Sequence, residues 1–148
     1  MKINTQFTIA VHTLLCIAYF SDSHKVTSDF IASSTNVNSV IIRKIIGKLQ
    51  TAGFVETKAG VGGSTLALPA REITLKDIYC SVCDETEEER SVFNFHSNPN
   101  SACPVGSKIH EVLNTPLSAA QKAMEEELQK TTLEDLLSKI IKSAVLSK

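Results

Sequence analysis

The feature that most constrains the fold is a glycine-containing hairpin that directly follows two short helical patterns. Residues 54–58 and 64–68 alternate apolar and polar side chains, and the segment 59–63 between them contains three glycines. Alternation is typical of strands, and glycine supplies the positive φ that a tight turn needs. A hairpin in this position is typical of the wing of a winged helix-turn-helix.

The helices that precede the hairpin are predicted from their apolar periodicity and their capping residues. Residues 3–20 are apolar nearly all round, which indicates a central helix. Thr27 or Ser28 caps a short second helix that ends near Asn36, and Asn38 begins a third helix that Gly53 ends. The predicted buried face of the third helix comprises Val40, Ile41, Ile45, Ile46 and Leu49.

The second half of the chain is also predicted to be mainly helical. Thr74 caps a fourth helix that runs to about Cys83, and a long helix covers 104–129, with Pro104 in its first turn and a kink or break expected at Pro116. Its apolar stripe suits a helical partner. The fold class is therefore mainly α, a winged helix-turn-helix of three helices and a two-stranded wing with a long C-terminal dimerisation helix. The predicted divisions are a DNA-binding domain at 1–83, an acidic linker at 84–103, and a dimerisation helix with a C-terminal helix at 104–148.

The charge is distributed unevenly, although the chain as a whole carries a formal charge of −1. Residues 1–65 contain six basic and three acidic side chains, whereas residues 66–148 contain nine basic and thirteen acidic ones. Such asymmetry is typical of a nucleic-acid-facing domain joined to a pairing module. No apolar run is long enough to span a membrane, so we expect a cytoplasmic protein with mostly reduced cysteines.

The third helix is the predicted recognition element. Asn38, Ser39 and Arg43 lie away from its apolar stripe, and an arginine there can read guanine through two hydrogen bonds. The predicted phosphate partners are Thr27 and Ser28 at a helix start, together with Lys44, Lys48 and Lys58. The alternative is that these side chains form an ordinary solvated helix face.

Three segments carry a resemblance to a known family. Residues 38–55, 59–67 and 73–78 resemble the Rrf2 (Rrf-two) family of bacterial regulators, and residues 96–106 resemble a YwnA-like subgroup. The resemblance implies a homodimer that pairs through 104–129 and binds a palindrome-like operator in double-stranded DNA, with wing contacts from Lys58 to Gly62 and Gly63. The family usually has Arg and Tyr where this chain has Ala59 and Ser64.

Three cysteines leave several interpretations open. Cluster-binding members of the family place three cysteines close together, and only Cys103 matches one of those positions, so Cys80 and Cys83 argue against an iron–sulfur cluster. Cys103 directly precedes Pro104 at a predicted helix start, which favours the thiolate and suggests a redox switch involving Cys80 or Cys83. A zinc site that includes His96 has suitable ligand types. Alternatively, the cysteines are small, partly buried apolar side chains.

The leading interpretation is a dimeric, sequence-specific DNA-binding transcriptional regulator that represses and responds to thiol redox chemistry. The alternatives are a winged-helix protein-interaction module without DNA binding and an iron–sulfur-sensing regulator. An enzyme is not expected, because the glycines of 60–63 precede a strand rather than a helix and no nucleophile has a base at suitable spacing.

Overall fold

The computed structural model of the chain describes residues 5–58, 62–83 and 91–147. Six α-helices, a short 3-10 helix at Ala70–Glu72 and one two-stranded sheet lie within these ranges. In chain order the helices and strands are α1 (Thr5–Phe20), α2 (Ser28–Thr35), α3 (Ser39–Thr51), β1 (Val55–Thr57), β2 (Ser64–Leu66), α4 (Leu75–Val82), α5 (Ile109–Leu128) and α6 (Leu133–Leu146). The described chain is mainly helical, as predicted.

The turn between α2 and α3 is fixed by side-chain caps at both helix starts. The Thr27 hydroxyl accepts a hydrogen bond from the Phe30 N–H, and the Asn38 side chain accepts one from the Val40 N–H. Asn36 ends α2 with a φ of 55°, a left-handed conformation that asparagine tolerates better than most residues. These caps confirm the predicted helix starts.

The core joins the helices of the first half to the last helix of the chain. Its fully buried aliphatic side chains are Leu14, Ile17, Val26, Ile31, Ile42, Ile45, Leu49, Ile73, Ile78, Val82 and Leu133. The backbone N–H of Leu133 donates to the Ile73 carbonyl, and the N–H of Leu75 donates to the Thr131 carbonyl. Although the sequence grouped α6 with the long helix before it, α6 therefore packs into the core of the winged helix-turn-helix.

The wing is a short antiparallel ladder tied to the helices at its base. Val55 pairs with Leu66 and Thr57 pairs with Ser64, and the Ser64 N–H donates to the Val26 carbonyl just before α2. Gly63 has a φ of 86°, as the predicted glycine turn requires. The tip of the predicted turn, residues 59–61, lies outside the described residues, as does the acidic part of the predicted linker at 84–90.

The buried face predicted for α3 is wrong in part. The buried face of α3 comprises Ile42, Ile45, Ile46 and Leu49, while Val40 and Ile41 are exposed. The helix phase set by the Asn38 cap brings Ile42, rather than Ile41, onto the same side as Ile45 and Leu49.

The long helix also differs from its prediction. It begins at Ile109 rather than Pro104, because residues 103–108 form tight turns that the Ser107 and Lys108 N–H groups close. Of the kink or break expected at Pro116, the break does not occur, because α5 runs through Pro116 as one continuous helix. No helix in the described part of the chain is long and apolar enough to cross a membrane.

Candidate nucleic-acid interface

The outward side of α3 is polar and basic near its beginning. Arg43 keeps 58% of its side chain exposed, and Lys44 is exposed beside it. Ser39 is half-buried in the first turn, and the Asn38 side chain is engaged in the cap described above. The isoleucine face anchors the opposite side, so α3 presents these groups on a rigid support.

An acidic side chain modifies the charge of this surface. The guanidinium of Arg43 lies 3.8 Å from the carboxylate of Asp29 on α2, which is 79% exposed. Exposed pairs of this kind contribute only about 0.2–1 kcal/mol, because water screens them. Arg43 is therefore held loosely and stays accessible from solvent.

A shallow groove connects α2, α3 and the wing. Its volume is about 350 Å³, and it is lined by Thr27, Ser28, Arg43, Ile46, Gln50, Thr57, Gly63 and Ser64. The structure thus brings together four predicted contact residues from three separate segments, namely Thr27, Ser28, Arg43 and Gly63. The N-terminus of α2 opens beside the groove, where its backbone N–H groups favour an anion.

Lys25 belongs to this surface although the sequence analysis missed it. A β carbon placed on Gly63 would lie 3.0 Å from Cγ of Lys25, and one placed on Gly62 would lie 3.5 Å from its Nζ. The exposed Lys25 side chain therefore runs along the base of the wing, and Lys58 is exposed at the end of β1. A lysine two residues before the Thr27 cap was the available signal, but only the hairpin geometry shows that it meets the glycines.

Lys48 does not lie on this surface. Its ammonium donates to the Gln6 side-chain oxygen at 3.1 Å and to the Val82 carbonyl at 3.1 Å, and the side chain is half-buried. Lys48 thus links α3 to α1 and α4 on the protein side of the helix. These two hydrogen bonds hold the Lys48 ammonium against the protein, which disfavours the predicted phosphate contact.

The predicted sensor cysteines lie in different environments. The Cys103 sulfur accepts hydrogen bonds from the backbone N–H groups of Gly106 and Val105, which lower the pKa of this thiol. Cys80 lines an open cavity of about 980 Å³ between α4, residues 91–95 and α5. Cys83 ends α4 and interacts with the Tyr79 hydroxyl, whose pKa is raised mainly by burial.

Within the described residues, Cys80, Cys83, Cys103 and His96 do not come together as a cluster or zinc site. Across the described ranges 5–58, 62–83 and 91–147, no three His, Cys, Asp or Glu side chains gather closely enough to hold a metal. His96 contacts His110 instead, with ring centroids 5.3 Å apart. We therefore assign no metal-dependent step to these residues.

A capped helix pair, a buried central helix and a glycine wing together define a winged helix-turn-helix protein. The comparison with protein families is specific: residues 3–139 match the Rrf2 family model, described as an iron-dependent transcriptional regulator. The chain belongs to the Rrf2 family of transcriptional regulators.

Individual relatives agree with this assignment. YwnA of Bacillus subtilis, named as an HTH-type transcriptional regulator, is 35% identical over 136 residues, which cover 92% of this chain and 97% of YwnA. A solved structure named as that of a DNA-binding protein is 31% identical, with a TM-score of 0.70 and coverage of 89% of this chain and 98% of that one.

A more distant solved structure supports the fold alone. CymR, the global cysteine regulator of Bacillus subtilis, is 24% identical with a TM-score of 0.65, covering 93% of this chain and 97% of CymR. The prediction of a regulator rather than an enzyme is confirmed by the family.

Proposed function

We propose that the chain binds duplex DNA in a sequence-specific manner, with α3 in the major groove and the wing beside the neighbouring backbone. The observation that carries this proposal is the exposed Arg43–Lys44 side of α3, which faces solvent next to the groove formed with α2 and the wing. A helix of this kind presents its first turns to base edges. The DNA-binding name of a 31% identical solved relative supports the same proposal.

Each contact has a proposed role that follows from its chemistry. Arg43 donates to guanine, which is worth about 1–3 kcal/mol of discrimination against a wrong base. Asn38 and Ser39 contribute polar groups at the same end of α3. The proposed phosphate partners are Thr27, Ser28, Lys25, Lys44, Lys58 and the backbone of Gly62 and Gly63.

We further propose that two copies pair through α5. None of the α5 side chains is buried. Val112, which belongs to the apolar stripe of this helix, is 60% exposed. A helix of 20 residues with such a stripe buries it well against an identical helix. A two-fold dimer would place two α3 helices on one duplex face, about one helical turn of DNA apart. Operator occupancy then blocks transcription, and the protein acts in the cytoplasm with the DNA.

The test measures affinity and oligomeric state. Duplexes enriched from a random-sequence pool are titrated against the protein by fluorescence anisotropy at several salt concentrations. We expect Arg43→Ala to relax specificity at one base pair in each half-site, and Lys44→Ala to weaken all sequences alike with a smaller salt slope. Lys130→Ala, an exposed lysine paired with Glu127, is the control. Equal selectivity of Arg43→Ala and the parent contradicts the proposal, as does a monomer at micromolar concentration.

A second candidate function, thiol regulation, is favoured by the environment of Cys103. Hydrogen bonds from Gly106 and Val105 stabilise its thiolate, which is the nucleophilic form. The thiolate attacks one oxygen of hydrogen peroxide, the O–O bond breaks, and the cysteine becomes a sulfenic acid. The leaving hydroxide takes a proton from solvent and becomes water. Operator affinity should fall after peroxide treatment in the parent and in variants of Cys80 and Cys83. An equal fall in Cys103→Ser contradicts this role.

A further inference from the structure

Two large aliphatic side chains are exposed in the first turn of α3. Val40 is 50% exposed and Ile41 is 44% exposed, although the aliphatic residues Ile42, Ile45 and Ile46 of the same helix are buried. A single exposed aliphatic residue needs no explanation, but two adjacent ones at the tip of the proposed recognition helix form a distinct apolar surface. We call Val40 and Ile41 the apolar tip of α3.

The surroundings of the apolar tip are mainly basic on the outward side of α3. Arg43 and Lys44 follow Val40 on the outward side of the helix by three and four residues, the spacing that places them next to it. The Asn38 oxygen accepts the Val40 N–H, so Asn38 meets a base through its amide N–H groups. Asp29 is paired with Arg43. A partner that binds here therefore contacts the aliphatic side chains of the apolar tip and the neighbouring cations Arg43 and Lys44.

The only methyl group on the major-groove edge of natural unmodified base pairs belongs to thymine. We propose that the apolar tip contacts thymine C5-methyl groups, so that thymine is preferred under the first turn of α3. This inference rests on the proposed DNA binding and adds the base that Val40 and Ile41 select. Burying these methyl groups against the tip removes apolar surface of both partners from water.

Charge complementarity selects duplex DNA as the occupant over a protein. Arg43 and Lys44 lie within one helical turn of Val40, and Arg43 lines the same groove as Gly63 of the wing. Lys25 runs along the wing glycines, and Lys58 is exposed at the end of β1. Phosphates on both sides of a major groove neutralise such cations, and the release of condensed counterions favours the complex. An apolar protein partner would leave these four cations at its rim without a matching charge.

The experiment compares thymidine with deoxyuridine, which lacks only the C5-methyl group. A duplex pool with 20 random positions is enriched on the protein, and one enriched duplex is made with deoxyuridine in place of thymidine at the half-site positions. We expect the substituted duplex to bind about fourfold more weakly for each methyl contact that is lost. Burying one methylene-sized group is worth about 0.8 kcal/mol, and 1.4 kcal/mol corresponds to a tenfold change in affinity. Deoxyuridine placed only outside the half-sites should have no effect.

Variants assign the methyl contact to the tip. In Val40→Ala and Ile41→Ala the ratio of affinities for the two duplexes should fall towards one, while Lys58→Ala should weaken both duplexes by the same factor and keep the ratio. Both tip residues are half exposed, so the alanine variants should fold, which thermal unfolding checks. The inference is overturned if both tip variants keep the affinity ratio of the parent, or if the parent binds the thymidine and deoxyuridine duplexes equally. Either result leaves the proposed DNA binding intact. A pool that yields no enriched sequence overturns the proposed DNA binding itself.

Discussion

The guanidinium of Arg43 on α3 and the carboxylate of Asp29 on α2 lie 3.8 Å apart, and both side chains are largely exposed. The cation proposed to read DNA is therefore paired before the duplex arrives. A duplex must replace Asp29 as the partner of Arg43, and the carboxylate then stands near a polyanion. The exposed pair holds Arg43 only loosely, so its loss on DNA binding should lower the affinity for DNA by a small amount.

The first prediction follows from this competition. Asp29→Asn should raise DNA affinity by up to about fivefold, the equivalent of an exposed pair of at most about 1 kcal/mol, because Arg43 no longer has to leave a carboxylate. Fluorescence anisotropy with an enriched duplex at low salt measures the change, and high salt should diminish it.

Glu127→Gln is the matched control for Asp29→Asn. Glu127 forms an equally exposed ion pair with Lys130 at the end of α5, far along the chain from the α2–α3 turn. Its neutralisation should leave DNA affinity nearly unchanged. If Asp29→Asn has no more effect than Glu127→Gln, Arg43 does not exchange Asp29 for DNA.

The second prediction concerns Gly47 on α3. It follows Val40 by two helical turns, and a β carbon placed on it would meet no atom within 4 Å. Glycine costs about 1 kcal/mol relative to alanine inside a helix, so Gly47→Ala should raise the midpoint of thermal unfolding by about 2–4 °C. DNA affinity should nevertheless fall severalfold, because the bare backbone permits a close approach of the duplex.

Calorimetry and DNA titration on the same preparation check both parts of this prediction. Ser138→Ala, on the exposed side of α6, is the control, since it improves helix propensity without touching α3. A Gly47→Ala protein that is more stable and binds DNA as well as the parent would mean that the duplex does not approach this part of α3.

The helices and the wing follow from local rules, whereas the roles of single cations do not. The Thr27 and Asn38 caps and the glycine turn at Gly63 are fixed by short-range chemistry and were predictable. From the sequence, Lys48 was predicted to contact phosphate because its position on α3 lies beside the predicted polar face of that helix. Its actual partners, Gln6 and the Val82 carbonyl, are 42 and 34 residues away and emerge only when α1 and α4 pack.

The apolar tip and Lys25 illustrate the same limit. Val40 and Ile41 fit a helical apolar pattern as well as Ile42 does, and one residue of helix phase decides which of them faces the core. Lys25 has no motif of its own and is placed by the backbone bond between Ser64 and Val26 at the base of the wing. Long-range packing thus decides which predicted contacts reach the surface.

The third prediction uses the hydrogen bonds at Cys103. Because the Gly106 and Val105 N–H groups lower the pKa of this thiol, iodoacetamide should modify Cys103 in the folded protein at a lower pH than an ordinary cysteine requires. Mass spectrometry of peptides after timed alkylation gives the pH profile of each cysteine. The urea-unfolded protein is the control, since unfolding removes both hydrogen bonds. Identical Cys103 profiles in the folded and unfolded protein would show that the turn does not stabilise the thiolate.

The fourth prediction concerns the cap that seats α6 on the core. The Asp135 carboxylate accepts the Thr132 N–H at 2.9 Å, and the Asp135 N–H donates to the Thr132 hydroxyl at 3.2 Å, directly beside the fully buried Leu133. The hydrogen bonds from Thr132 lower the pKa of Asp135. A depressed pKa in the folded state contributes stability that is present above the unfolded value and is lost as the pH falls through the folded value.

Asp135→Asn should therefore unfold at a lower urea concentration than the parent at pH 7. The gap should begin to close near pH 4, about the ordinary pKa of an aspartate, and vanish once the pH lies below the depressed pKa of Asp135. Urea titrations at a series of pH values, followed by circular dichroism, measure it. Glu134→Gln, a neighbouring first-turn acid outside the cap, should show a smaller gap. A gap that persists unchanged in acid would mean that Asp135 stabilises α6 without its charge.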